Sequence, residues 1–478
     1  MKWETVIGLE VHAELSTKSK IFCSCTTAYG GDPNTHVCPV CAGMPGVLPV
    51  LNREAVDYAL RLGLALNCSI TRYCKFDRKN YFYPDLPKAY QVSQLYSPIC
   101  RDGFLEIDSD GGRKKIRIRE IHMEEDAGKL NHGVSGSQMD FNRCGVPLLE
   151  IVSHPDFVCD SAASAAAEVT AYLEKLRETL LYLDICDCKM QEGSMRADIN
   201  LSVRRTGEDY GVRTETKNMN SFKAITRAIE YEAGRQIDIL EDGGQIVQET
   251  RRWDDNRGTS SGMRSKENAQ DYRYFPEPDL LPVFIDDEWI SRVSDNLPEL
   301  AFQKRERYMR DFNISADEAA VLTCHKNISG LFEALAQKTA QPAESAHLIC
   351  GGIMRLMNNA NTLPEDLDID TDKLAVCISF VTEGRINRAS FKETVEAVFK
   401  DNVDPAAYIA EKGLMMVSDD RAVTEAVKKV LLANAGSAAE YRAGKEKIFG
   451  FLMGMVMKEL GKGGNPELAR NVLQENLK

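Results

Sequence analysis

The chain has 478 residues, which is too long for a single hydrophobic core, so we expect two to four domains. Of these residues 43% are hydrophobic and 27% are charged, as in a folded globular protein. Its net charge of -13 argues against indiscriminate binding to nucleic acid. The sequence has no apolar run long enough to span a bilayer and no signal-peptide core at its N-terminus, so we expect a cytoplasmic protein whose 14 cysteines are thiols or metal ligands.

The first predicted strand has an acidic face. In VIGLEVHAEL, at 6–15, apolar and polar residues alternate, which places Glu10, His12 and Glu14 in one row. Carboxylates and imidazole are ligands of divalent cations, but such a row is also common on a solvated sheet face. Further strands with the same chemistry are needed to decide between a metal site and a solvated face.

Two close pairs of cysteines follow this strand, Cys23 with Cys25 and Cys38 with Cys41. The turn-rich segment GGDPN at 30–34 allows the two pairs to meet. This spacing is typical of a structural zinc site with four thiolates and no open coordination position, and four reduced, buried thiols are the alternative.

Two segments mix cations with aromatic rings. The first is KFDRKNYFYPDLPKAYQVSQ at 75–94, with Lys79, Tyr81 and Lys88. The second is RSKENAQDYRYFPEPDLLPV at 264–283, with Arg264, Lys266, Arg273 and Tyr274. This mixture suits a phosphate or an unstacked base, although the rings of the first segment could equally pack on the core.

Two middle segments continue the acidic pattern. In KIRIREIHMEED, at 115–126, Glu124 follows the polar row while Glu125 has the opposite parity. The apolar residues of this segment also change parity, which predicts a β-bulge. In PLLEIV, Glu150 stands alone in an apolar run, where an unpaired carboxylate is costly.

Two later strands carry acids and bases together. MRADINLSVR has Arg196 and Asp198 on one face, and GVRTETKN has Glu215 and Lys217 on one face. Acids that bind a divalent metal and bases that bind phosphate are what phosphoryl transfer from a metal–nucleotide complex needs, and surface salt-bridge ladders are the alternative. The sequence has neither a P-loop nor a Rossmann glycine motif.

Helix signals and proline-led helix starts divide the chain. Amphipathic helices are predicted at 160–183 and from 220 or 221 to about 240, and prolines begin helices near 298 and 405. We therefore expect a strand-rich domain at 1–292 with a zinc knuckle near 23–41, a helical domain at 293–402 and a helical tail at 403–478. The segment from Asp404 onward has a net charge of +1, whereas the rest of the chain has -14.

These motifs together resemble the B subunits of the aspartyl/glutamyl-tRNA amidotransferases over essentially the whole chain. The resemblance rests on segments that occur in the order of the family, among them WETVIGLEVHAEL, GDPNTHVCPVCAGMPGVLPVLN, FDRKNYFYPDLPKAYQ, IHMEEDAGKL, DFNRCGVPLLEIVSHPD, MQEGSMRADINLSVR, TETKNMNSF, DYRYFPEPDL and GKEKIFGFLMGMVMKELGKGGNPEL. It implies an α+β fold, in which an antiparallel-sheet cradle similar to glutamine synthetase is followed by an all-helical domain and a small helical tail domain.

The resemblance also implies a reaction and its partners. ATP phosphorylates the side-chain carboxylate of Glu-tRNA(Gln) or Asp-tRNA(Asn). Ammonia from the partner amidase (glutaminase), which is the A subunit, then forms the amide, and a small C subunit completes the complex. The implied catalytic residues are Glu10, His12, Glu124, Glu125, Glu150, Asp198 and Glu215. The implied cofactors are ATP, on Lys79, Tyr81, Lys88, Arg196, Lys217 and Arg273; Mg²⁺, on His12, Glu124 and Glu150; and structural Zn²⁺, on Cys23, Cys25, Cys38 and Cys41.

Alternatives remain open at this stage. One is a non-catalytic RNA-binding scaffold, and another is a free-standing amide ligase that acts on a small acid. For the tail, we expect a module that grips tRNA, with a plain helical bundle as the alternative. The cations that support the tRNA reading are Lys445, Lys447, Lys458 and Lys462.

Overall fold

The structure is a computed structural model that describes residues 2–109, 112–133, 136–265, 271–416, 420–461 and 464–477. Its chain forms two compact units, residues 1–300 and residues 301–478. Lys266 and Lys462, which the sequence analysis singled out, lie outside the described residues, as does the side chain of Arg264.

Unit 1 contains seventeen described strands and four described helices. The strands are β1 (Trp3–Glu14), β2 (Ser69–Ile70), β3 (Tyr73–Cys74), β4 (Asp77–Asn80), β5 (Tyr90–Ser93), β6 (Cys100–Ser109), β7 (Gly112–Glu125), β8 (Lys129–Gly133), β9 (Gly136–Asp140), β10 (Pro147–Ser153), β11 (Phe157–Cys159), β12 (Met195–Arg205), β13 (Thr214–Lys217), β14 (Glu249–Asp254), β15 (Thr259–Ser265), β16 (Phe275–Pro276) and β17 (Val283–Phe284). The helices are α1 (Arg53–Ala65), α2 (Ala162–Tyr182), α3 (Phe222–Glu241) and α4 (Asp287–Asp295).

A ten-stranded sheet dominates this unit. Its order is β15-β14-β13-β12-β1-β10-β7-β6-β2, and β11 pairs with β1 beside this path. Among these pairings only that of β13 with β14 is parallel. Small sheets are formed by β16-β4-β5, by β17 with β3 and by β8 with β9. The predicted α+β class with an antiparallel-rich sheet is confirmed.

One face of the large sheet is apolar and covered by helices. Ile7, Leu9 and Val11 of β1 are fully buried. The ring of Phe157 in β11 meets that of Tyr172 in α2 edge-on at 5.5 Å between centroids. On α3, Gln236 Nε2 donates to the backbone oxygen of Leu201 in β12 at 3.2 Å. Helix packing against this face leaves the polar row of β1 on the opposite face.

Both helices predicted in unit 1 are confirmed. Helix α2 begins after Ser161, whose side chain accepts a hydrogen bond from the backbone nitrogen of Ser164. Helix α3 begins after Ser221 in the same way, with the backbone nitrogen of Ala224 as donor. These N-caps satisfy backbone donors that the first turn of a helix leaves unpaired.

The bulge predicted in the KIRIREIHMEED segment is also confirmed. Between β7 and β10, Glu120 pairs with Val152 but Ile118 pairs with Ser153, so Arg119 is an extra residue in β7. An extra residue reverses the parity of the strand beyond it. The bulge is the reason that apolar residues face the core on both sides of it.

Unit 2 is helical. Its α-helices are α5 (Ala301–Phe312), α6 (Ala316–Leu322), α7 (Lys326–Thr339), α8 (Pro342–His347), α9 (Met354–Ala360), α10 (Thr371–Thr382), α11 (Arg388–Asp401), α12 (Pro405–Glu411), α13 (Asp420–Ala433), α14 (Ala435–Arg442), α15 (Ile448–Leu460) and α16 (Pro466–Leu477). A π-helical segment, Leu348–Ile353, joins α8 to α9, and a short 3-10 helix spans Pro364–Asp366.

Two hydrophobic clusters lie within unit 2. The first extends in sequence from Tyr308 to Leu414 and includes Ile409 of α12. The second extends from Val423 to Leu477 and is formed by α13 to α16. Among the described helices of both units, none is long and apolar enough to cross a membrane.

Candidate functional site

Strand register brings acids from five neighbouring strands onto the polar face of the large sheet. Across β1 and β10, His12 lies opposite Glu150, and across β1 and β12, Glu10 lies opposite Asp198. Glu124 of β7 and Glu215 of β13 are diagonal neighbours of Glu150 and Asp198. Residues opposite or diagonal across paired strands share one face.

Three of these side chains form what we call the first triad, which consists of His12, Glu124 and Glu150. One ligand atom from each lies within 4.8 Å of the others. Strand β5 holds Glu124 in place, because Gln91 Nε2 donates to its Oε2 at 3.0 Å and Ser93 Oγ donates to its Oε1 at 2.5 Å. The first triad is therefore a set of metal-ligand types in a fixed arrangement.

Burial and neighbouring charges shift the pKa values of all three groups in the first triad. Burial raises the pKa of Glu150 to about 8, and the neighbouring Glu124 adds to this effect. Burial also lowers the pKa of His12, although Asp198 opposes the change, so the imidazole is neutral. For Glu124, burial is outweighed by Lys79 and His12, and the net direction of its pKa is downward. A neutral imidazole, an ionised carboxylate and a carboxyl group that a cation would ionise suit a divalent metal.

The second triad consists of Glu10, Asp198 and Glu215, whose ligand oxygens also lie within 4.8 Å of one another. Lys217 Nζ lies 2.7 Å from Asp198 Oδ2 and 2.9 Å from Glu215 Oε1. Asn200 Nδ2 donates to Glu10 Oε1 at 3.0 Å. The ammonium group of Lys217 thus lies between two acids of the second triad.

The two triads are neighbours in one site. The charge of Asp198 in the second triad acts on His12 in the first, and the charge of Glu10 acts on Glu150. Glu10 and His12 lie on the same face of β1, two residues apart, so that strand belongs to both triads. The structure thus brings these six residues together on one face of the sheet.

Lys79 lies over the first triad on strand β4. Burial lowers the pKa of its ammonium group, but the charges of Glu124 and Glu150 outweigh burial and raise it overall. The rings of Tyr272 and Tyr81 lie 5.2 Å and 5.9 Å from Lys79 Nζ. This lysine is therefore a cation that two aromatic rings hold close to the carboxylates.

Glu125 and Lys88 do not join the triads. Lys88 Nζ lies 2.5 Å from Glu125 Oε1, and this pair lines a cavity of about 140 Å³ together with Cys23 and Cys41. Glu125 lies away from Glu124 because adjacent residues of β7 point to opposite faces of the sheet. The expectation that Glu125 converges with His12 and the five other acids is corrected by this geometry.

Two predicted cations have other surroundings. Arg196 Nη2 lies 2.6 Å from Asp126 Oδ2. The charge of Arg196 also acts on His12, so this arginine belongs to the His12 end of the site. Arg273 is exposed, and its backbone oxygen accepts a hydrogen bond from Asn80 Nδ2 at 2.8 Å. Within the described part of the chain, the guanidinium of Arg273 has no hydrogen bond or ion pair.

The four predicted zinc ligands come together. One Sγ atom each of Cys23, Cys25, Cys38 and Cys41 lies within 4.8 Å of the other three, and the Sγ atoms of Cys38 and Cys41 are 3.9 Å apart. A hydrogen bond from Cys23 lowers the pKa of Cys41 to about 4. These four sulfurs form a closed cluster.

The residues that hold the acids in place are not among those predicted from the sequence. Gln91 and Ser93 bind Glu124, and Thr250 Oγ1 donates to Glu215 Oε2 at 2.7 Å. The alternation in YQVS, which is strand β5, was the available signal for Gln91 and Ser93. No local pattern marks Thr250, because it reaches Glu215 only through the parallel pairing of β13 and β14.

The chain is similar to known proteins along its whole length. A family model described as the GatB/GatE catalytic domain matches residues 5–291, and one described as the GatB domain matches residues 330–477. The protein of Lachnoclostridium phytofermentans that is named as the B subunit of aspartyl/glutamyl-tRNA(Asn/Gln) amidotransferase is 55% identical over 478 residues, which cover 99% of each chain. Proteins of the same name from Caldicellulosiruptor bescii and Thermoanaerobacter pseudethanolicus are 51% and 48% identical, and the alignments cover 100% of this chain and 99% and 100% of those proteins.

Proposed function

Because the chain belongs to the B-subunit family of the aspartyl/glutamyl-tRNA(Asn/Gln) amidotransferases, we propose that its two triads form the site where ATP activates a tRNA-linked carboxylate. The function is that of an ATP-dependent carbon–nitrogen ligase in protein synthesis. Family membership favours it over the RNA-binding scaffold and the free-standing ligase that the sequence left open. The arrangement that carries the proposal is the pair of triads, side by side on one sheet face.

The reaction has two steps. A side-chain carboxylate oxygen of Glu-tRNA(Gln) or Asp-tRNA(Asn) attacks the γ-phosphorus of ATP, and ADP leaves. Ammonia then attacks the acyl carbon, phosphate leaves, and the nitrogen loses a proton to give the amide. The family works as a complex in which the A subunit is an amidase that releases ammonia from glutamine, and a small C subunit is the third component.

The residues present fit Mg²⁺. His12, Glu124 and Glu150 would hold one ion, and the three acids of the second triad offer a further oxygen-only set. Bound Mg²⁺ neutralises charge on phosphate oxygens and reduces the repulsion between two anionic reactants. Burial, together with the charge of Glu124, raises the pKa of Glu150, and a bound cation would offset both effects, which supports this assignment.

Cations and rings around the triads would bind ATP. Lys217 lies within 2.9 Å of two carboxylates of the second triad, and the charges of Glu124 and Glu150 in the first triad act on Lys79. Both lysines would offer ammonium groups to phosphate oxygens. Tyr81 and Tyr272 flank Lys79 and provide aromatic surface next to it. Arg196 lies at the His12 end of the site, where it would contribute positive charge while bound to Asp126.

The cysteine cluster would hold structural zinc. In a tetrahedral site with Zn–S bonds of about 2.3 Å, the sulfurs are about 3.8 Å apart. The distance of 3.9 Å between Cys38 Sγ and Cys41 Sγ supports this assignment. Four thiolates fill the coordination sphere, so the ion would stabilise the segment from Cys23 to Cys41 rather than catalyse.

We also propose a three-part chain and a tRNA-binding tail. The large antiparallel-rich sheet supports a cradle similar to that of glutamine synthetase, and the two clusters of unit 2 support a helical domain separate from a tail. Because helix α12 packs with the first cluster, we propose that the tail begins after Leu414 rather than at residue 403. A role in protein synthesis supports a cytoplasmic location.

The test of the proposed site is Glu150→Gln in the assembled complex. This change removes a charge with little change in shape, so tRNA-dependent release of ADP should fall by at least about 10²-fold. Glutamine hydrolysis by the partner amidase should continue. The control is Asp108→Asn, an exposed acid on β6 of the same sheet. If Glu150→Gln released ADP at the wild-type rate with either mischarged tRNA, the assignment would be contradicted.

A further inference from the structure

A lysine lies buried beside the cysteine cluster. Lys20 is 0% exposed, and its Nζ donates to the backbone oxygen of His36 at 2.7 Å and to that of Phe141 at 3.4 Å. The same Nζ lies 3.6 Å from Cys41 Sγ, within the distance of an N–H···S hydrogen bond. Among the residues that the structure describes, no carboxylate lies within 4.0 Å of this ammonium group.

A buried ammonium group without an anion is costly, because the interior solvates charge poorly. The nearest group able to carry a negative charge is the sulfur of Cys41, which is the only buried member of the four cysteines. Four thiolates around a divalent cation also carry two negative charges in excess. The lysine and the cysteine cluster therefore have complementary charges.

Lys20 is also placed to hold the cluster together. Its backbone nitrogen donates to the oxygen of Cys25 at 2.9 Å, next to the first pair of cysteines. Its side chain reaches His36 and Cys41, next to the second pair. Cys41 Sγ further accepts a hydrogen bond from the backbone nitrogen of Cys38 at 3.2 Å. Cys41 Sγ thus has a charged donor in Lys20 and a backbone donor in Cys38.

We propose that Lys20 is a positioning residue of the metal centre, whose ammonium group donates to the metal-bound thiolate of Cys41 and offsets the excess negative charge. The inference rests on the proposed zinc site and adds to it the group that controls how firmly the metal is retained. Partners of this kind, outside the ligands themselves, typically change metal affinity by about 10- to 100-fold.

A purely structural role would be different. In that case the contacts to the oxygens of His36 and Phe141 would matter, and loss of the side chain would loosen the fold without changing the electronic state of the sulfur. A donor to the thiolate stabilises the sulfur lone pair, which raises the energy of charge transfer from sulfur to a bound metal. A spectroscopic measurement therefore separates the two roles.

The experiment uses the full-length chain loaded with zinc and measures the rate of zinc transfer to a chromogenic chelator. Lys20→Met should release zinc on the order of 10-fold faster than the wild type. Lys20→Arg keeps the charge and the donors and should restore most of the retention. The matched control is Lys18→Met, the same change at an exposed lysine two residues away, which should release zinc at the wild-type rate.

Cobalt substitution gives the second readout. In Co²⁺-loaded Lys20→Met, the sulfur-to-metal charge-transfer band should move to longer wavelength, whereas Lys18→Met should leave it in place. If Lys20→Met does not fold, Lys20→Gln and Lys20→Arg are compared, and faster release from Lys20→Gln supports the role of the charge.

The outcomes separate the two proposals. A wild-type chain that binds neither zinc nor cobalt refutes the metal site itself. If the wild-type chain holds zinc, and Lys20→Met releases it at the wild-type rate with an unshifted cobalt band, only the role of Lys20 is overturned. The same conclusion follows if Lys20→Gln releases zinc at the rate of Lys20→Arg with an unshifted cobalt band.

Discussion

Glu150 lies directly opposite His12 on neighbouring antiparallel strands, with Glu150 Oε1 4.0 Å from His12 Nε2. Burial lowers the pKa of His12 and raises that of Glu150 to about 8. Without a cation, near neutral pH, this pair is a neutral imidazole beside a protonated carboxyl group. A divalent cation would have to displace the proton, which links metal binding to pH.

The first prediction concerns this link. The pKa of Glu150 is about 8 in the folded chain and near 4.5 when unfolded, so between these values folding takes up a proton and stability falls as pH rises. Mg²⁺ binds the ionised form and should remove this penalty. Stabilisation by Mg²⁺, measured as the shift in Tm, should therefore be larger at about pH 8.5 than at about pH 6.5.

The control for this prediction is Glu150→Gln, in which the pH dependence of the Mg²⁺ effect should shrink. Asp108→Asn on β6 should behave like the wild type. An equal Tm shift at both pH values in the wild-type chain would show that no carboxyl group with a raised pKa has to ionise when the metal binds.

The second prediction concerns Lys79. Lys79→Met removes the cation that faces Glu124 and Glu150, so the ATP-dependent step should lose about 10²-fold in kcat/KM for ATP. Glutamine hydrolysis by the partner amidase should be unchanged. The matched control is Lys115→Met, at an exposed position in the first half of β7, which should keep wild-type kinetics. Equal kinetics for both variants would remove Lys79 from the site.

The third prediction concerns the cysteine cluster. Cys38→Ser removes one of the four thiolates. Loss of a residue that only contacts a ligand lowers metal affinity by up to about 100-fold, so loss of a ligand itself should lower it by more than that. Residues 22 to 45 should then exchange amide hydrogens faster, while the residues around the two triads remain protected. Cys324→Ser, at an exposed cysteine in unit 2, should leave both properties unchanged. Full zinc content in Cys38→Ser would contradict the four-thiolate assignment.

The fourth prediction concerns the tail. Lys445, Lys447 and Lys458 are exposed, and neutralising all three to glutamine should weaken binding of mischarged tRNA. Each phosphate contact contributes about 0.7 to 0.9 to the magnitude of the slope of log K against log salt. If all three lysines contact phosphate, this magnitude should fall by about 2 to 3. ATP affinity should not change.

A control distinguishes the tail from general surface charge. Lys412→Gln changes an exposed lysine that precedes the second hydrophobic cluster, and it should leave tRNA binding and its salt dependence unchanged. If the triple variant binds tRNA as tightly as the wild type at both low and high salt, the plain helical bundle is the better interpretation of the tail.

The sequence by itself determined which residues share a face of one strand. The alternation in VIGLEVHAEL placed Glu10 and His12 in one row, and the parity change in KIRIREIHMEED predicted the bulge that the strand register locates at Arg119. The cysteine spacing identified the four sulfurs that meet, and the caps located α2 and α3. These features depend on backbone geometry over a few residues, and such geometry can be read from a short segment.

Only the tertiary structure decided which strands are neighbours and in what register. Glu10 and His12 separate into two triads because Glu10 lies opposite Asp198 on β12, whereas His12 lies opposite Glu150 on β10. Glu125, one residue beyond Glu124, lies outside the site and forms an ion pair with Lys88. Strand pairing joins segments that are far apart in sequence, and the free energy that selects one pairing comes from burial of the whole sheet, so no single motif contains it.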